Sequence, residues 1–120
     1  MKYRESEEMY LETILVLKKK KPNVHSIDIA NDLGYSRPSV SRGVNLLQKK
    51  GYIVIDKNGE INFTNEGRKK ATAIYERHHI ITEVLVKIGA DKTVAEENAC
   101  RIEHVISDDL LETLKKYLET

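Results

Sequence analysis

The sequence contains a single cysteine, Cys100, so no disulfide can form within the chain. It has no tryptophan, and no apolar run approaches the roughly 18 residues that a membrane-spanning helix needs. The first ten residues, MKYRESEEMY, are charged and lack the apolar segment of a secretory signal. We therefore expect a cytoplasmic protein with no membrane partner, in which Cys100 stays reduced and is available as a thiolate ligand.

The charged residues divide the chain into a basic part and an acidic part. Residues 1–70 hold 14 Lys and Arg against 9 Asp and Glu, a net charge of +5, whereas residues 71–120 hold 6 against 10, a net charge of −4. A basic part suits a polyanion, and an acidic part suits cations or a partner subunit. The sequence predicts a DNA-binding domain over residues 1–70 and a helical domain over residues 71–120.

Apolar spacing and capping residues predict a mainly helical chain with one β-hairpin. Two short helices separated by Gly34 indicate a helix-turn-helix, and two β-rich runs around Lys57-Asn58-Gly59 indicate a hairpin wing, because Asn-Gly is a strong turn signal. The predicted fold class is therefore a winged helix-turn-helix followed by a helical domain, which we expect, on grounds given below, to bind metal and form a dimer. The predicted helices and strands are Glu5–Lys19, Ser26–Leu33 capped by Ser26, a third helix from Ser36 to Lys49, Tyr52–Asp56, Glu60–Thr64, Asn65–Ile88, Thr93–Val105 and a last helix from Ser107.

The second helix of a helix-turn-helix enters the major groove of DNA, where its first residues meet base edges. Arg binds guanine with two hydrogen bonds, Ser bonds to several bases, and Pro contacts a thymine methyl. Lysines at the helix end and on the wing are better suited to phosphates, which supply affinity and salt dependence. The candidate DNA-binding residues are Ser36, Arg37, Pro38, Ser39, Ser41, Arg42, Lys49, Lys50 and Lys57.

Cys100, Glu103 and His104 form a candidate metal site, because spacings of three and four residues place their side chains on one face of a helix. Thiolate, carboxylate and imidazole suit Fe²⁺, Co²⁺, Ni²⁺ or Zn²⁺ better than Mg²⁺ or Ca²⁺. The residues alone also allow a buried cysteine beside a surface Glu-His pair. A second cluster, His78-His79 with Glu83, is either a further site or a solvated face.

At this point the sequence resembles a known family, the diphtheria-toxin-repressor type of metal-dependent regulators. The resemblance covers nearly the whole chain. The segment Ser6-Glu7-Glu8-Met9-Tyr10-Leu11-Glu12-Thr13-Ile14 is similar to the first helix of the family. Ile29-Ala30 through Ser36-Arg37-Pro38-Ser39-Val40-Ser41 resembles its helix-turn-helix. Ala99-Cys100-Arg101-Ile102-Glu103-His104-Val105-Ile106-Ser107-Asp108 closely matches its metal-binding helix.

The resemblance implies a ligand set. Iron-type members join a methionine of the first helix to cysteine, glutamate and histidine of the later helix, which matches Met9, Cys100, Glu103 and His104. Manganese-type members carry aspartate and glutamate in place of Met9 and Cys100, and also use residues that match Glu12 and His78. Soft sulfur ligands favour Fe²⁺ over Mn²⁺, while Co²⁺, Ni²⁺ or Zn²⁺ can bind in vitro.

The resemblance also implies an ancillary site and a short architecture. The ancillary site would use His78 with His79 or Glu83, but Glu96 stands where the family has its next histidine. The chain also lacks the SH3-like domain that follows in the longer iron repressors. Neither departure decides between iron and manganese.

We expect a homodimeric repressor that binds a palindromic operator when loaded with metal, and that controls genes of metal homeostasis. The metal would tie the first helix to the dimerising helices and so set the distance between two recognition helices, roughly 34 Å or a multiple of it. The alternatives are a Mn²⁺-responsive member of the family and a winged-helix regulator that ignores metal. A metalloenzyme is disfavoured, because no general base stands out beyond the ligands and because an enzyme would leave the DNA-binding module unexplained. We expect no small organic substrate.

Overall fold

The computed structural model describes residues 7–120, which form six helices and one two-stranded sheet. This confirms a mainly helical fold with a small hairpin, in the predicted order of elements. The start of the first predicted helix, Glu5 and Ser6, lies outside the described residues. The elements are α1 (Glu7–Lys20), α2 (Ser26–Leu33), α3 (Arg37–Lys49), β1 (Ile53–Ile55), β2 (Ile61–Phe63), α4 (Asn65–Lys87), α5 (Lys92–Ile102) and α6 (Asp108–Leu118).

The chain divides into two compact units between Thr72 and Ala73, so α4 begins in the first and continues in the second. In the first unit α1, α2 and α3 pack on one another, and β1 packs on α3. Each aliphatic side chain buried there contributes about 1.5–3 kcal/mol relative to an exposed one. The fully buried core of this unit includes Leu11, Ile14, Val24, Ile29, Val40, Leu47, Ile53 and Ile61.

The helix α1 lies very close to α3, because Gly43 leaves room for the ring of Tyr10. A Cβ atom at Gly43 would lie only 2.4 Å from Cε2 of that ring. The Tyr10 hydroxyl donates a hydrogen bond to the Ser39 carbonyl in the first turn of α3, at 3.5 Å. The position of α3 therefore depends directly on α1.

The wing is the hairpin formed by β1 and β2, which pair antiparallel with Ile53 opposite Phe63 and Ile55 opposite Ile61. Three contacts fix it to α1, to α3 and to the segment between α1 and α2. The Ile61 amide donates to the Val24 carbonyl at 2.8 Å, Lys18 Nζ donates to Asn62 Oδ1 at 3.0 Å, and the Ile55 amide donates to Gln48 Oε1 at 2.8 Å. The wing is thus held at both strands.

The turn of the wing differs from the expected Asn-Gly turn. In a two-residue turn of that kind both central residues have positive φ. Here only Gly59 does, with a φ of 84°, and no non-glycine residue among residues 7–120 has positive φ. The carboxylate of Asp56 organises the turn instead, since its Oδ1 accepts the amides of Asn58 at 2.8 Å and Glu60 at 3.0 Å.

The predicted ends of the elements need four further corrections. The N-cap of α2 is His25 rather than Ser26, because the Asp28 carboxylate accepts the His25 amide at 2.8 Å. The strands are shorter than predicted, α1 runs to Lys20, and α5 stops at Ile102 rather than Val105. Helix ends fray, and their positions depend on the hydrogen bonds of a few residues.

The second unit, residues 73–120, has a smaller buried core that includes Ile81, Val84, Ala95 and Ala99. No residue of α6 is buried, although Leu110, Leu111, Leu114 and Leu118 give it an apolar stripe. Several large apolar side chains of this unit are exposed, namely Val86, Ile88, Val94, Val105, Leu110 and Tyr117. Across residues 7–120, none of the helices has the length and apolar character that would let it cross a membrane.

Candidate functional site

Glu103 is the most unusual residue of the second unit, because its carboxylate is completely buried. Neither of its two oxygens makes a hydrogen bond. The oxygens instead face two imidazoles: Oε2 lies 3.4 Å from His78 Nδ1, and Oε1 lies 3.4 Å from His104 Nε2. A buried carboxylate is costly unless it is paired, hydrogen-bonded or bound to a metal.

The distances around Glu103 fit shared coordination better than hydrogen bonding. Hydrogen bonds between nitrogen and oxygen usually span about 2.7–3.2 Å. Two ligand atoms bound to the same tetrahedral ion, each at about 2.1 Å from it, lie about 3.4 Å apart. The separations at Glu103 match that value on both sides. A carboxylate and two imidazoles are donors that fit a divalent transition metal, and neither separation is short enough to be a strong hydrogen bond.

Cys100 lies in the last turn of α5, half-buried and three positions before Glu103. Glu103 is the C-cap of this helix, and its amide still donates to the Ala99 carbonyl at 2.9 Å. The helical spacing that the sequence predicts for Cys100 and Glu103 therefore holds, although Glu103 and His104 follow the last residue of α5. The structure brings Glu103 together with His104 and with His78 of α4.

Met9 and Glu12, the other predicted ligands, lie on α1 in the first unit. Met9 is 4% exposed, and its sulfur accepts a hydrogen bond from the Tyr35 hydroxyl at 3.6 Å. Glu12 is half-buried and lies three positions later, on the same side of the helix. One helix therefore carries both residues in a largely buried setting.

The proposed ancillary ligands are not gathered in the same way. His79, Glu83 and Glu96 are all exposed. The His79 ring packs edge-on against Tyr75, with centroids 4.5 Å apart. Within residues 7–120, no group of three ligating side chains includes any of these residues. A second site built from them stays a prediction, without support from this geometry.

The recognition helix α3 begins with a regular cap. Ser36 Oγ accepts the Ser39 amide at 3.3 Å, and Ser39 Oγ accepts hydrogen bonds from Ser36 Oγ at 3.1 Å and Arg42 Nη2 at 3.3 Å. Ser36 and Ser39 thus serve the start of the helix. Arg37, Pro38, Ser41 and Arg42 present exposed side chains.

The three lysines predicted to contact phosphates differ in their surroundings. Lys49 and Lys57 are exposed. Lys50 Nζ lies 2.6 Å from Glu7 Oε1, and Lys70 Nζ lies 2.6 Å from Glu7 Oε2. Burial raises the pKa of Glu7, but hydrogen bonds from Lys50 and Lys70 outweigh it and hold that pKa below its usual value of 4.5. Glu7 therefore joins α1 to the end of α3 and to the start of α4.

Tyr35 and Glu7 were absent from the predicted site residues. Tyr35 stands between the two helices of the helix-turn-helix, yet its hydroxyl contacts Met9, which is 26 positions earlier. Nothing in the local sequence around Tyr35 or Glu7 indicates these contacts, because they join segments far apart in the chain. They emerge only when α1 is placed on the helix-turn-helix.

Two family models match the chain. The model described as "Iron dependent repressor, N-terminal DNA binding domain" matches residues 2–61, and "Iron dependent repressor, metal binding and dimerisation domain" matches residues 64–120. Together they include the recognition helix, the first strand of the wing and all the residues around Glu103.

Individual relatives show the same similarity. The diphtheria toxin repressor of Corynebacterium diphtheriae is 34% identical over 93% of this chain, which spans 50% of that repressor. An uncharacterized HTH-type transcriptional regulator of Methanocaldococcus jannaschii is 32% identical, with 96% of this chain and 94% of the relative covered. The structure of the manganese regulator SloR aligns with a TM-score of 0.85 at 27% identity, covering 98% of this chain and 55% of SloR.

Proposed function

Because the chain belongs to the iron-dependent repressor family, we propose that it is a metal-dependent transcriptional repressor that binds operator DNA as a homodimer. The family is one of DNA-binding repressors, not of enzymes. The observation that carries the metal dependence is Glu103, a fully buried carboxylate whose two oxygens each lie 3.4 Å from an imidazole nitrogen.

The proposed ligands are the six residues that the family pattern indicates. The closeness of His78 to Glu103 supports its place among them. A thioether and a thiolate in the set favour Fe²⁺, with Mn²⁺ as the second candidate. When bound, the ion would offset the buried negative charge of Glu103 and require the thiolate form of Cys100. The set is Met9, Glu12, His78, Cys100, Glu103 and His104.

The structure of the first unit suggests how ligands on α1 influence DNA binding. The residue after Met9, Tyr10, bonds to the first turn of α3, and Gly43 brings the two helices into close contact. Holding Met9 and Glu12 in place therefore restricts α1, and α1 in turn restricts the recognition helix. Metal that binds best to the DNA-competent arrangement shifts the population towards it.

The DNA contacts follow from exposure. Arg37, Pro38, Ser41 and Arg42 would meet base edges, and the exposed lysines Lys49, Lys50 and Lys57 would contact phosphates. A homodimer presents two recognition helices related by a two-fold axis, so the operator would be palindromic, with half-sites about one helical turn apart or a multiple of it. The regulated genes would serve metal homeostasis, and the protein would act in the cytoplasm.

The test is anaerobic binding to DNA from upstream of the protein's own gene, followed by fluorescence anisotropy. We expect no specific binding in chelator, and binding when Fe²⁺, Mn²⁺, Co²⁺ or Zn²⁺ is added in turn. Glu103→Gln keeps the shape of the side chain but weakens metal binding, so it should abolish the metal response while the circular dichroism spectrum stays unchanged. Glu97→Gln, at an exposed glutamate of α5, is the matched control.

Each other outcome assigns a different function. A response to Mn²⁺ at lower concentration than Fe²⁺ would make the protein a manganese regulator, the activity named for SloR. Tight operator binding that persists in chelator would show a regulator that does not depend on metal. Retention of the metal response in Glu103→Gln would exclude Glu103 as a ligand.

A further inference from the structure

The hydrogen bond between Tyr35 and Met9 connects the proposed metal site to the helix-turn-helix. Tyr35 follows Gly34, the C-cap of α2, and precedes Ser36, the N-cap of α3. Its half-buried hydroxyl donates to the Met9 sulfur at 3.6 Å, within reach of a hydrogen bond to sulfur. The turn that orients the recognition helix thus contacts one predicted ligand directly.

A methionine ligand needs such support more than most. Its side chain has three rotatable bonds and adapts easily to its surroundings, so an unsupported thioether loses conformational freedom when it binds a metal. A hydrogen bond to one sulfur lone pair reduces that freedom beforehand, and a metal would bind through the other lone pair. Side chains that orient metal ligands in this way typically change metal affinity by about 10–100-fold.

We propose that Tyr35 is a positioning residue for the metal site: its hydroxyl orients the Met9 thioether and connects the ligand to the turn before the recognition helix. This inference rests on the proposed function, since Met9 must bind metal. An interaction that favours the metal-bound arrangement of α1 and this turn should also favour operator binding, because the proposed function takes that arrangement as the DNA-competent one.

The experiment measures Co²⁺ binding alone, anaerobically, by titration of the cobalt absorption bands in the full-length protein. Tyr35→Phe removes the hydroxyl and keeps the ring. We expect it to lower Co²⁺ affinity about 10-fold. Tyr52→Phe is the matched control, since it removes another half-buried hydroxyl of the first unit, one that accepts a hydrogen bond from Lys70 Nζ at 3.2 Å. Its Co²⁺ affinity should equal that of the wild type.

A double-mutant cycle separates positioning from general stability. Met9→Leu keeps the volume of the side chain but lacks the sulfur. If Tyr35 acts through Met9, adding Tyr35→Phe to Met9→Leu should cause no further loss of Co²⁺ affinity. If the loss is the same in both backgrounds, the hydroxyl acts on the fold and the inference is wrong.

Two further outcomes distinguish this inference from the proposed function. Suppose that the wild type binds Co²⁺ and that Met9→Leu lowers the Co²⁺ affinity but Tyr35→Phe does not. Tyr35 then has no positioning role, and the proposed function stands. If the wild type binds no Co²⁺, both the proposed function and the role of Tyr35 are refuted.

Discussion

Helix propensity and packing make opposite predictions at Gly67, in the first turn of α4. Alanine stabilises an exposed helix by about 1 kcal/mol relative to glycine. Gly67 is buried, however, and a Cβ atom there would lie 1.8 Å from the Tyr52 carbonyl oxygen. Because backbone must move to relieve this clash, we expect Gly67→Ala to lower the free energy of unfolding by about 1–3 kcal/mol. Urea denaturation at fixed protein concentration measures the change.

Lys69→Ala is the control for Gly67→Ala, because Lys69 is exposed two residues further along α4. Its stability should stay within about 0.5 kcal/mol of the wild type. If Gly67→Ala raised the free energy of unfolding, Gly67 could not lie as close to Tyr52 as the structure places it. The sequence offers no sign of this approach, since Gly67 alone looks like a weak first turn.

The proposed metal ligands show which parts of a site a sequence can reveal. The spacing of Cys100, Glu103 and His104 can be read from the sequence. The helix that it predicts continues through Cys100 to its C-cap, Glu103. The complete burial of Glu103 and its approach to His78 of α4 join positions far apart in sequence, which spacing cannot show. The same limit explains why Tyr35 was missed.

Glu7 connects three helices, and its charge state should therefore affect their packing. Hydrogen bonds from Lys50 and Lys70 hold its pKa below the usual value of 4.5 despite the opposing effect of burial. A lowered pKa means that the ionised form stabilises the fold above about pH 4.5, and that this contribution disappears as the pH falls through the lowered pKa. Glu7→Gln should cost about 1 kcal/mol at pH 7.

The measurement is the difference in unfolding free energy between wild type and Glu7→Gln from pH 7 to pH 3, in chelator. The difference should stay constant above pH 5 and shrink below about pH 4.5, because both proteins then carry a neutral side chain at this position. Glu112→Gln, at an exposed glutamate of α6 that lies 3.6 Å from Lys115 Nζ, should show a much smaller difference. A pH-independent difference for Glu7→Gln would refute the charged interaction.

The elements were predictable where their boundaries depend on neighbouring residues. Ser36 and Ser107 cap α3 and α6 as expected, and Gly34 and Gly89 follow their helices with φ of 72° and 114°. Prediction failed where one carboxylate competes with the local signal. Asp28 shifts the cap of α2 to His25, and Asp56 replaces the expected hairpin turn by accepting two amides.

At the scale of the whole molecule, charge and apolar exposure have different distributions. Residues 1–70 carry a net charge of +5, and residues 71–120 a net charge of −4. Most of the large exposed apolar side chains belong to the second unit. This distribution favours DNA binding by the first unit and contact between protein subunits by the second.

The last prediction tests the dimer through Leu110, which is 50% exposed on α6, a helix without any buried residue. If the apolar stripe of α6 faces a second subunit, Leu110→Glu places a charge in that interface. The variant should then be monomeric in sedimentation equilibrium at micromolar protein concentration, where the wild type is dimeric. Because Leu110 is exposed within the single chain, its circular dichroism spectrum should not change. Glu112→Ala on the same helix should leave the dimer intact. If Leu110→Glu stays dimeric, this part of α6 is not in the interface. If the variant is monomeric but binds operator DNA as tightly as the wild type, two linked recognition helices are not needed.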